Sequence, residues 1–149
     1  IEEEKLKFSG TTEEKHGALG RDLPETEAKL FELENYHLFD EDDGLEKLGG
    51  NKELLVKMIK MLTQQDLLNE VTLLKKAHKQ PDWEIIQEIA HKLKGGALYC
   101  GTQKMRYACQ YMERYCLAGH TKLLEELFEQ LMKVLEETRQ YLIVWLSKK

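Results

Sequence analysis

The sequence predicts an all-α protein: an antiparallel up-down four-helix bundle with an additional short N-terminal helix. Three observations predict it. Apolar residues recur at i, i+3, i+4 through four long stretches. No stretch alternates with the period of two that a half-buried strand requires. The connections are short and marked by Gly or Pro. The 149 residues suffice for one domain, and 42% hydrophobic residues supply its core. With 33% charged residues, 10 Gly and 2 Pro, the composition is that of a globular helical chain, not a low-complexity one.

Residues 1–24, with Ser9, Gly10, Gly17, Gly20 and Pro24, have no sustained periodicity and read as linker. Residues 1–37 are therefore a linker or N-terminal arm, partly flexible, and 38–149 the bundle. Pro24-Glu25-Thr26-Glu27 is suited to start a short helix through Leu30, Phe31 and Leu33 that either docks or stays loose. Leu38, Phe39, Leu45 and Leu48 flank the acidic run Asp40–Asp43, and Gly49-Gly50 closes a short helix there. A long stretch comes next, at 51–79. Leu55, Met58, Ile59 and Leu62 lie on one face, while Leu67, Leu68, Val71 and Leu74 lie on another, so a kink or break is expected near Thr63–Asp66.

Pro81-Asp82 punctuates, with the proline suited to the first turn of a helix over 82–99. Gly101-Thr102 caps the start of the next, 102–117, with core positions Met105, Ala108, Cys109, Met112 and Cys116; Gly119 ends it. The last helix, 121–146, buries Leu124, Leu127, Phe128, Leu131, Leu135, Leu142 and Trp145.

Charge narrows the function. The net charge is −5, and residues 1–37 hold the whole imbalance, with 10 acidic and 5 basic side chains; 38–149 carry 17 of each. A neutral bundle without a Lys/Arg stripe argues against nucleic acid as partner. No apolar run approaches the ~18–20 residues of a membrane span, and no secretory segment is visible. The chain begins at Ile1, as an excised piece of a longer protein would. Cys100, Cys109 and Cys116, an odd count with no CxxC pair, read as small core fillers in a reducing cytoplasm.

Residues 82–99 divide their faces unusually. At about 100° per residue, Ile86, Ile89, Ala90, Leu93 and Ala97 share one side, and His91 points away from them. Its face carries Glu84, Gln87, Glu88, Lys94, Gly95 and Leu98. Gly95 and Gly96 each cost ~1 kcal/mol relative to Ala inside a helix. Gly95, at i+4, leaves open space beside the imidazole, and Lys94, at i+3, puts a cation alongside. An exposed histidine, a bare patch and a cation suit a nucleophile that accepts an anionic group from a docking macromolecule.

The run Ala90-His91-Lys92-Leu93-Lys94-Gly95-Gly96-Ala97-Leu98-Tyr99-Cys100-Gly101 resembles the signature of histidine phosphotransfer (HPt) domains. That signature is a His, Leu-Lys-Gly two to four positions on, two small residues, and a Gly at the tenth position. His91, Leu93, Lys94, Gly95, Gly96, Ala97 and Gly101 carry the match. Gly96 stands where Ser or Ala is commoner and Cys100 where an aliphatic is usual. The flanking Gly44-Leu45 through Gly50-Asn51, the long helix and Asp82 fit the family layout over residues 38–146. Leu23–Ala28 resembles the connector before such domains in hybrid sensor kinases.

The resemblance implies a phosphorelay intermediate. A response-regulator receiver domain's phospho-aspartate passes its phosphoryl group to His91, at Nε2 by family analogy, and a second receiver takes it onward. A neutral imidazole is a competent nucleophile near pH 7. Phosphoryl transfer rests on positioning and charge stabilisation. The chain then needs no cofactor of its own and no metal ligands, because Mg²⁺ and its acidic cluster belong to the receiver. Lys94 stabilises charge and Gly95 gives access. With no P-loop or GxGxxG, the chain is a phosphoryl carrier without kinase activity of its own. It is expected to be monomeric and cytoplasmic, as a free protein or as the cytoplasmic end of a membrane-anchored kinase.

The docking surface includes Lys92, Lys94, Gly95 and an exposed Leu98; Leu38, Phe39, Leu45 and Leu48 either extend it or cap the bundle. Gln103, Gln110 and Glu113 are the candidates for a polar contact to the imidazole from the next helix. Rival readings are weaker. Glu88–His91 and Glu34–His37 have the ExxH spacing of di-metal bundles, but those sites need inward-facing ligands. The run Asp40–Gly44 has its glycine one position early for a calcium loop and lacks the Glu at position 12. A non-catalytic adaptor bundle would use the Tyr107, Tyr111, Tyr115 stripe, which residues 25–37 are available to cover. His16, His37, His78 and His120 read as ordinary exposed residues.

Overall fold

The computed structural model describes residues 19–149. Residues 1–18, the beginning of the expected linker together with His16, lie outside the described residues. A 3-10 turn at Ala28–Phe31 precedes six α-helices: α1 (Glu41–Lys47), α2 (Lys52–Met61), α3 (Leu67–Lys79), α4 (Trp83–Cys100), α5 (Gln103–Leu117) and α6 (Leu124–Ser147). Every regular element among the described residues is helical.

The helix starts are set by short polar side chains that satisfy free amides. Asp40, Asn51 and Asp82 accept from the amides of Asp43, Leu54 and Ile85 at 3.0, 3.0 and 3.2 Å. Pro81 therefore precedes the cap of α4 and does not sit in its first turn. Gly101 belongs to the end of α4, not the start of α5. It takes φ +74°, and the Thr102 amide returns to the Ala97 carbonyl at 3.2 Å. A Cβ on Gly101 would run into the Asp40 carbonyl. That close approach lets the Asp40 amide donate to the Gly101 carbonyl at 2.8 Å, which ties α1 to the end of α4.

The expected break in the long helix is a π-helical turn, Leu62–Asp66. One extra residue in a turn rotates the succeeding helix by about 100°. This is the offset between the buried members of the two apolar sets, and the turn brings Leu55, Ile59 and Leu62 into one core with Leu67 and Leu74. Thr63 Oγ1 bonds back to the Ile59 carbonyl at 2.9 Å, and the Thr63 carbonyl accepts from Arg139 Nε of α6 at 3.0 Å. Leu68, expected in the core, is exposed on α3.

α3, α4, α5 and α6 run up and down. α5 is antiparallel to α6, because Lys104 near its start meets Glu137 at 3.5 Å while Tyr115 near its end accepts from the Leu123 amide at 3.0 Å. Residues 101–102 turn α4 back along α5, and residues 80–82 turn α3 back along α4. The inward face of α4 is as expected: Ile86, Ile89, Ala90, Leu93 and Ala97 are all buried. Cys100 and Cys109 are buried free thiols, and burial pushes Cys100 up to about 12, far from the thiolate form.

Residues 19–37 lie along α5 and α6. Leu19, Leu23, Leu30 and Leu33 join the core, and Gln130 of α6 donates to the Leu30 carbonyl at 3.0 Å. Tyr36 stacks on Tyr107 with ring centroids 4.0 Å apart, and the His37 carbonyl accepts the Lys104 amide at 2.9 Å. The tyrosine stripe of α5 is thus covered, and Tyr111 and Tyr115 are buried. Leu30→Ala should lower stability by about 2–5 kcal/mol, as for other fully buried leucines. Urea denaturation checks this; an unmoved midpoint would place residues 19–37 outside the cooperative unit.

Candidate functional site

α4 places His91 on its outer face, and the side chain is 68% exposed. Its inner edge is held: Nδ1 lies 2.7 Å from Oε2 of Glu113, a side chain on α5 that is only 6% exposed. Lys94 Nζ, one turn along from His91, donates to Oε1 of the same carboxylate at 2.7 Å. Glu113 thus uses one oxygen for each partner. Burial alone would raise its pKa, but the hydrogen bonds and charges of Lys94 and His91 outweigh that and hold it below its ordinary 4.5.

These contacts fix the protonation pattern of the imidazole. An ionised carboxylate only accepts, so the Nδ1 hydrogen points at Glu113 and the neutral ring carries its free lone pair on Nε2, toward solvent. Beside the ring, a Cβ built on Gly95 would meet nothing within 4 Å. Nothing among the described residues crowds that side of α4.

Of the three candidates on α5, Glu113 makes the contact. Gln110 donates to the Asp22 carbonyl at 3.0 Å, and Gln103 reaches Asp40 at 3.4 Å. Lys92 bonds to Glu70 of α3 at 2.6 Å. Leu98 is half-buried, not exposed, as are Leu38, Phe39, Leu45 and Leu48. Phe39 packs edge-on against Trp145 with centroids 5.0 Å apart, at the far end of α6. Glu88 and His91 both stand on the outer face of α4, so their spacing does not aim into the bundle interior, and Glu34 is exposed.

Two other histidines are not the ordinary exposed residues that the sequence suggested. His78 stacks on Phe128 at 4.1 Å and meets Glu125 at 2.7 Å. His120 Nε2 lies 2.6 Å from the Leu19 carbonyl. Both tie elements together within the fold, because their partners come from 47 and 101 residues away.

A helical bundle that turns one histidine outward and anchors its inner nitrogen to a buried carboxylate is a scaffold for a reactive imidazole met by a docking partner. Residues 55–141, more than half of the chain, match the Hpt domain family, and the chain belongs to it. It is 32% identical over 97 residues to the sensor histidine kinase GacS of Pseudomonas protegens, covering 64% of this chain. The chain spans about a tenth of that relative's length, 10%. No solved structure matches it significantly. As an Hpt domain it serves phosphorelay in two-component signalling, and domains of this family interact with receiver domains.

Glu113→Gln should lower stability by about 1–2 kcal/mol at neutral pH, since it deprives the mostly buried Lys94 ammonium of its anionic partner. The sign with pH is fixed. Glu113 has a depressed pKa in the fold, so its contribution is complete above 4.5 and fades as pH falls through the lower folded value. Urea melts of both proteins between neutral and strongly acid pH should converge at the acid end; a gap independent of pH would contradict this.

Proposed function

We propose that His91 is the phosphoryl acceptor of this domain, taking the group at Nε2 from a receiver's phospho-aspartate and passing it to another receiver. The observation that carries this reading is the 2.7 Å contact between Nδ1 and buried Glu113, which leaves the exposed nitrogen as the nucleophile. In the forward step the Nε2 lone pair forms a P–N bond as the P–O bond to the aspartate breaks. The aspartate leaves as carboxylate, and the imidazole keeps its Nδ1 hydrogen. The ring gains positive charge, and Glu113 is already in place to stabilise it, as a carboxylate does for any imidazolium formed beside it. Glu113 acts as a positioning residue: it sets the tautomer and the ring orientation.

Lys94 and Gly95 support the same event in different ways. Lys94 lowers the pKa of Glu113, and its cation stands one turn from His91. Gly95 leaves the approach open. Lys92 and Leu98 belong to the docking face, whereas Phe39, Leu45 and Leu48 pack against the core and cap the end of the bundle. The chain supplies no metal ligand to this step; Mg²⁺ is held by the receiver. In this reading the domain is a cytoplasmic, monomeric carrier and one module of a hybrid sensor kinase, a placement supported by its likeness to part of a sensor histidine kinase. No described helix is long and apolar enough to cross a membrane.

The test is transfer of label from a phosphorylated receiver in the presence of Mg²⁺. Wild type should acquire acid-labile, base-stable label, and His91→Gln should acquire none. Glu113→Gln should be labelled about 10-fold or more slowly, as expected for loss of a partner that orients a reactive histidine. Equal label on His91→Gln would overturn the assignment.

A further inference from the structure

One buried charge has no part in the step above. Glu70 of α3 is 7% exposed, as deep as Glu113. Its Oε2 accepts from Lys92 Nζ at 2.6 Å, and Lys92, the residue after His91, is 69% exposed. The hydrogen bond to Glu70, then the Glu70 charge, raise the Lys92 pKa, and Asp66 adds to the field. His91 therefore stands between two lysines, each gripped by a carboxylate from a neighbouring helix. Lys94 is held by Glu113 of α5 on one side, and Lys92 by Glu70 of α3 on the other.

A carboxylate on the inward side of α3 is expensive. It sits among Leu67, Leu74 and Ala77, all buried, and an apolar side chain there would join α3 to α4 without the cost of removing a charge from water. Lys92 needs no partner either, since an exposed ammonium is well solvated. What the pair does, and an apolar contact would not, is hold a flexible cation at one place on the surface. A lysine ordered in advance spares a docking partner the loss of its rotamer freedom.

We propose that Glu70 is a specificity-determining positioning residue: it fixes Lys92 as a positive point on the rim of His91, where it meets the acidic cluster that surrounds a receiver's phospho-aspartate. The proposal rests on the reading of His91 as acceptor. Its effect is on docking. Lys92 is held on the side of α4 away from Glu113, so the pair does not set the tautomer of the imidazole, and the chemical step is left to His91, Glu113 and Lys94.

The experiment measures initial rates of transfer from a phosphorylated receiver over a range of receiver concentrations and of salt. It compares wild type with Glu70→Gln, Lys92→Gln, Lys92→Arg and the Glu70→Gln/Lys92→Gln double variant. Glu70→Gln and Lys92→Gln should each raise the half-saturating receiver concentration roughly 3-fold or more, with the saturating rate within about 2-fold of wild type. The double variant should be no worse than either single one, because the two residues act as a unit. Lys92→Arg should keep most of the affinity, and Lys92→Gln should flatten the salt dependence, whereas Glu70→Gln, which keeps the ammonium, should not.

Two results would overturn the proposal: a half-saturation unchanged in Glu70→Gln but raised in Lys92→Gln, or a fall confined to the saturating rate. If Glu70→Gln does not fold, Glu70→Met, which removes the charge at similar volume, replaces it in the comparison. Failure of this proposal is distinct from failure of the acceptor assignment. Label on His91→Gln equal to wild type would sink the latter. Wild-type label that requires His91, together with a Glu70→Gln that matches wild type at every concentration, would sink the proposal alone.

Discussion

The site depends on one carboxylate. Glu113 is nearly out of water, and a buried charge of that kind is stable only where its oxygens are met by cations or donors. Lys94 and His91 meet them, one on each oxygen. The same bonds that stabilise the carboxylate order the imidazole and draw α4 onto α5. Structural and chemical demands thus coincide: Lys94 and His91 outweigh the burial that would raise the pKa of Glu113, and the ionised Glu113 in turn holds the imidazole in one tautomer.

That arrangement requires each helix to be in correct rotational phase, and the π-helical turn supplies part of it. Without the extra residue at Leu62–Asp66, α3 would be turned by about 100° relative to α2. Leu67, Leu74 and Ala77 would leave the core, and Glu70 would no longer face Lys92. The turn is held from outside, since the Thr63 carbonyl accepts from Arg139. At the other end, the Gly101 bend and the Asp40 amide fix where α4 stops. A mid-helix irregularity and a left-handed glycine, both local costs, are what place two carboxylates on either side of one histidine.

Much of this was legible in the sequence, because periodicity reports which face of its own helix a residue occupies. It showed His91 opposite the core, the bare space at Gly95 and the phase shift before Leu67. It could not report which residues of different helices meet, since that depends on the register of one helix against the next. Gln103, Gln110 and Glu113 all lie on α5, yet only one faces the imidazole. A signal was present: Glu113 is four residues after buried Cys109 and borders the apolar stripe. Glu70 is plainer still, an acid between Leu67 and Leu74 within the buried stripe of α3. His78 and His120 carried no such sign, because their partners come from distant elements.

Access and orientation make opposite demands on a reactive histidine. A buried ring is well oriented but out of reach; a free surface ring is reachable but has neither a fixed tautomer nor a fixed pose. α4 resolves this by dividing the ring, with one nitrogen bonded to a carboxylate 6% exposed and the other edge left in the open beside Gly95. In the proposed relay the phosphoryl group arrives at and leaves from the open edge alone, so neither step needs to break a bond that holds the bundle together. The domain can then serve a donor and an acceptor through one surface without rearranging.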